Sequence, residues 1–119
     1  MKLAIDRIGD VAAVAVPVDE LDARNASEFK RNIAPVLQAN LKLVLDLSRV
    51  RFMDSSGLGA MLSCLRQLGA KKGDLKLRGM SKQVRGAFEL VRLHGIFDIH
   101  ATKAEAVLAF ESKPAGVAR

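Results

Sequence analysis

Residues Leu41 to Leu47 read Leu-Lys-Leu-Val-Leu-Asp-Leu and stop at Ser48-Arg49. A stretch this short and nearly continuous in apolar residues is the pattern of a strand covered on both faces. Strands in that position belong to parallel or mixed sheets, because crossover connections lay helices over the faces. The flanking segments supply the cover. Phe29, Ile33, Val36 and Leu37 recur at helical spacing after Asn25-Ala-Ser-Glu28, which matches a capping box, and the helix they imply runs to about Ala39 with Pro35 as a candidate kink. Leu58, Met61, Leu62, Leu65 and Leu68 form the stripe of a second helix, bracketed at its end by Gly69 and Gly73.

The remaining segments extend the same alternation. Leu3–Ile8 and Val11–Val16 are short apolar runs separated by Gly9-Asp10, a turn signal, and read as a β-hairpin. Asp74–Arg78 and Ile96–His100 are strand candidates. Ser81 caps a third helix carrying Val84, Ala87, Phe88 and Val91, and Thr102-Lys-Ala-Glu105 opens a fourth that reaches about Phe110. The order β-β-α-β-α-β-α-β-α predicts an α/β fold, a mixed β-sheet covered by about four α-helices and joined by right-handed crossovers. The 119 residues divide into a single domain at 1–111 and a frayed C-terminal tail at 112–119.

Several function classes are excluded by composition and spacing. One cysteine, Cys64, permits no internal disulfide and fits a small core residue. With His94 and His100 it makes no metal-ligand spacing, so no metal or cofactor is expected. The longest apolar stretch, Val11–Val18, is too short for a membrane span, and Asp6, Arg7 and Asp10 interrupt any leader-like segment. The chain reads as cytoplasmic. Its net charge of +6 comes wholly from residues 55–119. No basic cluster interleaved with aromatics is present, so direct nucleic-acid binding is not indicated; a solvated basic surface is the first reading of this half, and an acidic protein partner the next. With five Phe and no Trp or Tyr, an interface here must use aliphatic side chains, Met and Arg.

The segment that carries most information is Phe52-Met-Asp-Ser-Ser-Gly-Leu-Gly59, at the join between the apolar strand and the second helix. Asp54, Ser55 and Ser56 can each cap the free N–H groups of a helix start. Gly57 and Gly59 cost the helix roughly 1 kcal/mol each relative to Ala, a cost tolerated where another backbone or a partner approaches closely. Plain helix capping accounts for these residues. A nucleotide loop does not, since neither the P-loop nor the dinucleotide pattern is present. A nucleophilic serine lacks both an adjacent base and the Gly-x-Ser-x-Gly arrangement.

Phe52–Gly59, preceded by Leu43-Val-Leu-Asp-Leu47, resembles the signature of STAS-domain anti-sigma factor antagonists. The resemblance extends to Glu20-Leu21-Asp22, the helix from Ala26 to Val36, Gly79-Met-Ser-Lys-Gln-Val-Arg-Gly-Ala-Phe88 and Leu93-His-Gly-Ile-Phe97, and it covers roughly residues 3–110. It implies a binding module in a partner-switching pathway, not an enzyme. The unphosphorylated form would bind a serine-kinase anti-sigma factor of histidine-kinase-like ATPase fold and free its sigma factor. Phosphorylation of Ser55 would end that binding, and a PP2C-type phosphatase would restore it. Asp22 and Asp54 fall on family positions for partner or kinase recognition. Met53, Ser56, Gly57 and Leu58 complete the expected contact set, although Met53 and Leu58 fit the core equally well. Asp19 stands where the family has Gly. A monomer or weak dimer is expected. The alternative is a STAS module with a non-sigma partner in transport, stressosome, secretion or biofilm regulation.

The chemistry suits a switch. A phosphate adds about −1.5 to −2 charge. Free N–H groups at a helix start can receive it, whereas a desolvated interface cannot leave it unpaired.

Overall fold

The structure, a computed structural model, describes residues 1–111. Strands β1 (Ala4–Ile8), β2 (Val11–Ala15), β4 (Lys42–Asp46), β6 (Asp74–Arg78) and β7 (Asp98–His100) form one sheet in the order β1-β2-β4-β6-β7. Two further strands, β3 (Glu20–Leu21) and β5 (Phe52–Met53), pair separately. Helices α1 (Ala26–Ala39), α2 (Ser55–Ala70), α3 (Lys82–Leu90) and α4 (Lys103–Glu111) complete the fold. The expected α/β architecture with a mixed sheet is present. The tail expected at 112–119 lies outside the described residues.

The hairpin forms as predicted: β1 and β2 are antiparallel, with Gly9 at φ +62° in the turn. All other pairs in the large sheet are parallel. Leu43, Val44 and Leu45 of the central strand are fully buried. Leu41 is an exception, half exposed and just outside β4. Its carbonyl accepts the Asp74 N–H (2.8 Å).

Alternation along the strands sorts the core into two layers. Ala12, Val14, Leu43, Leu45, Leu75 and Leu77 face α1, α2 and α3, which add Phe29, Ile33, Met61, Leu68, Val84 and Phe88. Val11, Ala13 and Val44 face the other way, under Ala106, Val107 and Phe110 of α4.

Three local expectations are corrected. Asn25 stands at the N-cap of α1, but its side chain makes no cap hydrogen bond. It accepts the Asp22 N–H (3.0 Å) and donates to the Glu20 carbonyl (2.9 Å), while Glu28 is drawn to the amino terminus of Met1. Val91 is past the end of α3 and exposed. Arg92, at φ +61°, turns the chain into a 3₁₀ turn at Leu93–Gly95. Ile96 is therefore exposed and β7 starts only at Asp98. The cap half of the box opening α4 does form, with Thr102 Oγ1 accepting the Glu105 N–H (3.1 Å), while the Glu105 carboxylate accepts the N–H of Ala101 (3.3 Å), one residue before the cap.

Beneath α4 lies a lysine that the sequence did not mark as core. Lys76 is 0% exposed, with its ammonium 2.6 Å from Asp98, 3.2 Å from Asp74 and 4.6 Å from the centre of the Phe110 ring. Asp98 also meets His100 Nε2 at 3.1 Å. Burial raises the Asp98 carboxyl, but its hydrogen bond with Lys76 and the nearby His100 ring outweigh that and hold it below the usual carboxylate value. A carboxyl depressed in the folded state contributes stability above its unfolded pKa of about 3.9. That contribution disappears as pH falls through the lower folded value. The advantage of the native chain over Asp98→Asn in urea midpoint should therefore shrink as pH falls from about 5 to about 2. An advantage that stays constant over this range would contradict the assignment.

Candidate functional site

The short ribbon of β3 and β5 builds the site. It is parallel, with Glu20 opposite Phe52 and Leu21 opposite Met53. Its entry is fixed by the Asp19 carbonyl, which accepts the N–H groups of Arg51 (2.6 Å) and Phe52 (3.2 Å). One residue beyond the ribbon on each strand come Asp22 and Asp54, so the two acidic residues singled out in the sequence end up side by side. Two strands of two residues each are too short for periodicity to reveal, and the sequence showed Glu20-Leu21-Asp22 only as a turn.

Asp54 organises the start of α2. Its Oδ1 accepts the N–H groups of Ser56 (2.9 Å) and Gly57 (3.1 Å), and its carbonyl accepts that of Leu58 (2.9 Å). Its Oδ2 accepts the Ala23 N–H (3.1 Å) from the neighbouring loop. One carboxylate thus caps α2 and ties the two loops together. This narrows the expectation that free N–H groups at this helix start could receive a phosphate, because Asp54 already takes those of Ser56 and Gly57.

Asp22 is nearly buried and belongs to a second cluster. Arg24 Nε lies 3.1 and 3.2 Å from the two Asp22 oxygens, and its Nη2 reaches Asp22 (2.8 Å) and Glu20 (2.5 Å). The Arg24 hydrogen bonds outweigh burial and hold the Asp22 carboxyl below the usual range. The Asp22 carbonyl accepts the N–H groups of Asn25 (3.1 Å) and Ala26 (2.8 Å), so the loop feeds directly into α1. Sequence reasoning missed Glu20 and Arg24 as a pair, although their i, i+4 spacing and opposite charge were there to be read.

Ser55, the first residue of α2, is exposed, and Ser56 behind it is half-buried. Gly57 and Gly59 play different parts. A Cβ on Gly57 would lie 2.3 Å from the Leu21 carbonyl oxygen and 2.6 Å from Met53 Cγ. The α2 backbone there touches the ribbon directly, as one of the two readings of this glycine required. A Cβ on Gly59 would meet open space, and this residue lies one helical turn beyond Ser55 on the same face. Gly59→Ala should therefore raise stability by about 0.8–1 kcal/mol, seen as a higher urea midpoint at unchanged m.

Met53 (3% exposed) and Leu58 (8%) lie in the core. With Gly57 they shape the knuckle from beneath. Phe52 and Gly59, on either side of Ser55 in the chain, are exposed, as is the side chain of Arg24. Cys64 is buried on the inner side of α2, and burial pushes its thiol up to about 12, which leaves it unreactive. His94 sits in the 3₁₀ turn and His100 pairs with Asp98, so neither is bonded to Ser55. Among the described residues no group of three or more His, Cys, Asp or Glu could hold a metal ion, and no helix is long and apolar enough to cross a membrane.

Comparison with known proteins identifies the domain family and agrees with the fold. The family model for the STAS domain matches residues 2–106. BtrV of Bordetella bronchiseptica is 30% identical over 113 residues, which cover 94% of this chain and 97% of that protein. The anti-sigma-B factor antagonist of Bacillus subtilis is 29% identical over 82 residues, 69% of this chain and 75% of that protein. Among solved structures, an anti-sigma factor antagonist from Mycobacterium paratuberculosis is similar with a TM-score of 0.81 at 26% identity, covering 91% of this chain and 92% of that one.

Proposed function

The chain belongs to the STAS domain family, and from that premise we propose that it is an anti-sigma factor antagonist of the partner-switching kind, with Ser55 as its switch. The observation that carries this reading is an exposed serine on a knuckle held by the Asp54 carboxylate. A kinase can reach the hydroxyl without unfolding anything. The unphosphorylated chain binds a serine-kinase anti-sigma factor of histidine-kinase-like ATPase fold in the cytoplasm and so frees a sigma factor. Phosphate on Ser55 ends the binding, and a PP2C-type phosphatase restores it. The chain itself contributes surface and an acceptor hydroxyl, with no catalysis of its own.

Electrostatics supports a sharp response. A charge of about −1.5 to −2 on Ser55 would sit beside Asp54, whose own charge is already committed to the helix start. Inside a desolvated contact the phosphate would meet repulsion and go unpaired. Incubation with the cognate kinase and labelled ATP should place phosphate on Ser55, leave Ser55→Ala unlabelled and label Ser56→Ala normally. Labelling of the Ser55→Ala chain would sink the assignment of the acceptor.

A further inference from the structure

We infer that Arg24 is the internal clamp for a phosphate on Ser55, offering the cation that the start of α2 cannot. The inference deepens the reading of Ser55 as the acceptor and rests on it.

Register places the two residues together. Leu21 pairs with Met53, and the Ala23 N–H is bonded to Asp54 Oδ2 at 3.1 Å. The residue preceding Arg24 is thus held against the residue preceding Ser55, and consecutive Cα atoms are only about 3.8 Å apart. Arg24 carries a long side chain that is 71% exposed, and Ser55 is exposed as well.

The guanidinium has capacity to spare. Of its five N–H donors, those on Nε and Nη2 serve Asp22 and Glu20. Nη1 makes no hydrogen bond among the described residues. The bonds to Asp22 anchor the group on a carboxylate that is 11% exposed, whereas Glu20 is 52% exposed and held through one oxygen. Exposed pairs of the latter kind are weak. A phosphate, with more charge and three acceptor oxygens, outcompetes Glu20 for Nη2 and takes Nη1 as well.

Charge balance makes the clamp necessary. Glu20 and Asp22 already share this one guanidinium, and Asp54, bonded to the Ala23 N–H, adds a third carboxylate to the two joined loops. Adding a phosphate with no cation turned toward it would concentrate like charge on an otherwise rigid loop. Two other arginines flank the region. Arg49 pairs with Asp19 at 3.3 Å, and Arg51 is exposed at the entry to β5, which makes Arg51 the competing candidate.

The test encodes phosphoserine directly at position 55, so it needs no kinase and is independent of the phosphotransfer experiment. The second ionisation of the phosphate is followed by phosphorus NMR. In the otherwise native chain it should lie about half a pKa unit or more below that of the Arg24→Gln chain, because a nearby cation favours the dianion. Arg24→Lys should fall between the two, keeping the charge and losing the fork. Glu20→Gln should lower the value further, a shift that loss of the fold would not produce. Equal titrations in the native and Arg24→Gln chains would overturn the inference, as would a shift caused by Arg51→Gln and not by Arg24→Gln.

Discussion

Gly57→Ala should cost about 3 kcal/mol of stability, at the upper end of what one added methyl does in a packed interior. The methyl would lie 2.3 Å from a backbone oxygen, that of Leu21, which is held in a ribbon and cannot swing away as a side chain would. The Met53 side chain at 2.6 Å closes the other direction. Relief requires α2 to move off the ribbon, which stretches the bonds from Asp54 to Ser56, Gly57 and Ala23 together. For a chain of this size the loss corresponds to a fall in Tm on the order of 10 °C. Gly59→Ala, two residues on, carries the same chemical change into open space and moves the transition the other way. Opposite signs at two glycines of one helix turn separate steric contact from helix propensity. A Gly57→Ala chain as stable as the native one would mean that α2 does not rest on β3.

Ser55→Asp has the second large effect, on binding and not on stability. Ser55 is exposed and its side chain caps nothing, since Asp54 fills that role, so the thermal transition should move by less than about half a kcal/mol equivalent. The added carboxylate sits beside Asp54 at the centre of the proposed contact. A loss of ~3 kcal/mol there is more than a hundredfold in affinity. Titration calorimetry with the cognate kinase, run beside Ser55→Ala, reads both effects on one preparation. Native affinity in Ser55→Asp would reject the switch, whatever the kinase does to the serine.

The parts of this fold that were legible in the sequence are those where one strand or helix settles its own burial. Leu43-Val44-Leu45, the Gly9 turn and the stripe of Leu58, Met61 and Leu68 each announce themselves by spacing. What stayed hidden depends on a second segment. Asp54 outranks Ser55 and Ser56 as the cap because its other oxygen is held by Ala23, thirty-one residues away. Asn25 abandons its capping role because the backbone of Glu20 and Asp22 offers it better partners. Val91 loses its place in the stripe because the chain turns at Arg92. The candidate site divides in the same way. Ser55 at a helix start was visible, but the meeting of Asp22 with Asp54 depends on the two-residue ribbon between β3 and β5.

The buried lysine beneath α4 has a consequence for how the chain finds its alignment. Side chains alternate along a strand, so sliding β6 by one residue exchanges its two faces. Leu75 and Leu77 would then abandon the three-helix side, and Lys76 would enter it, away from Asp98 and among apolar groups. An uncompensated ammonium there is far more costly than a misplaced leucine. A leucine at this position would leave only Asp74 and Arg78, half-buried at the ends of β6 on the same face, to oppose the slip. Lys76 instead gives β6 a single acceptable register, so one buried charge guards against mispairing in the middle of the sheet.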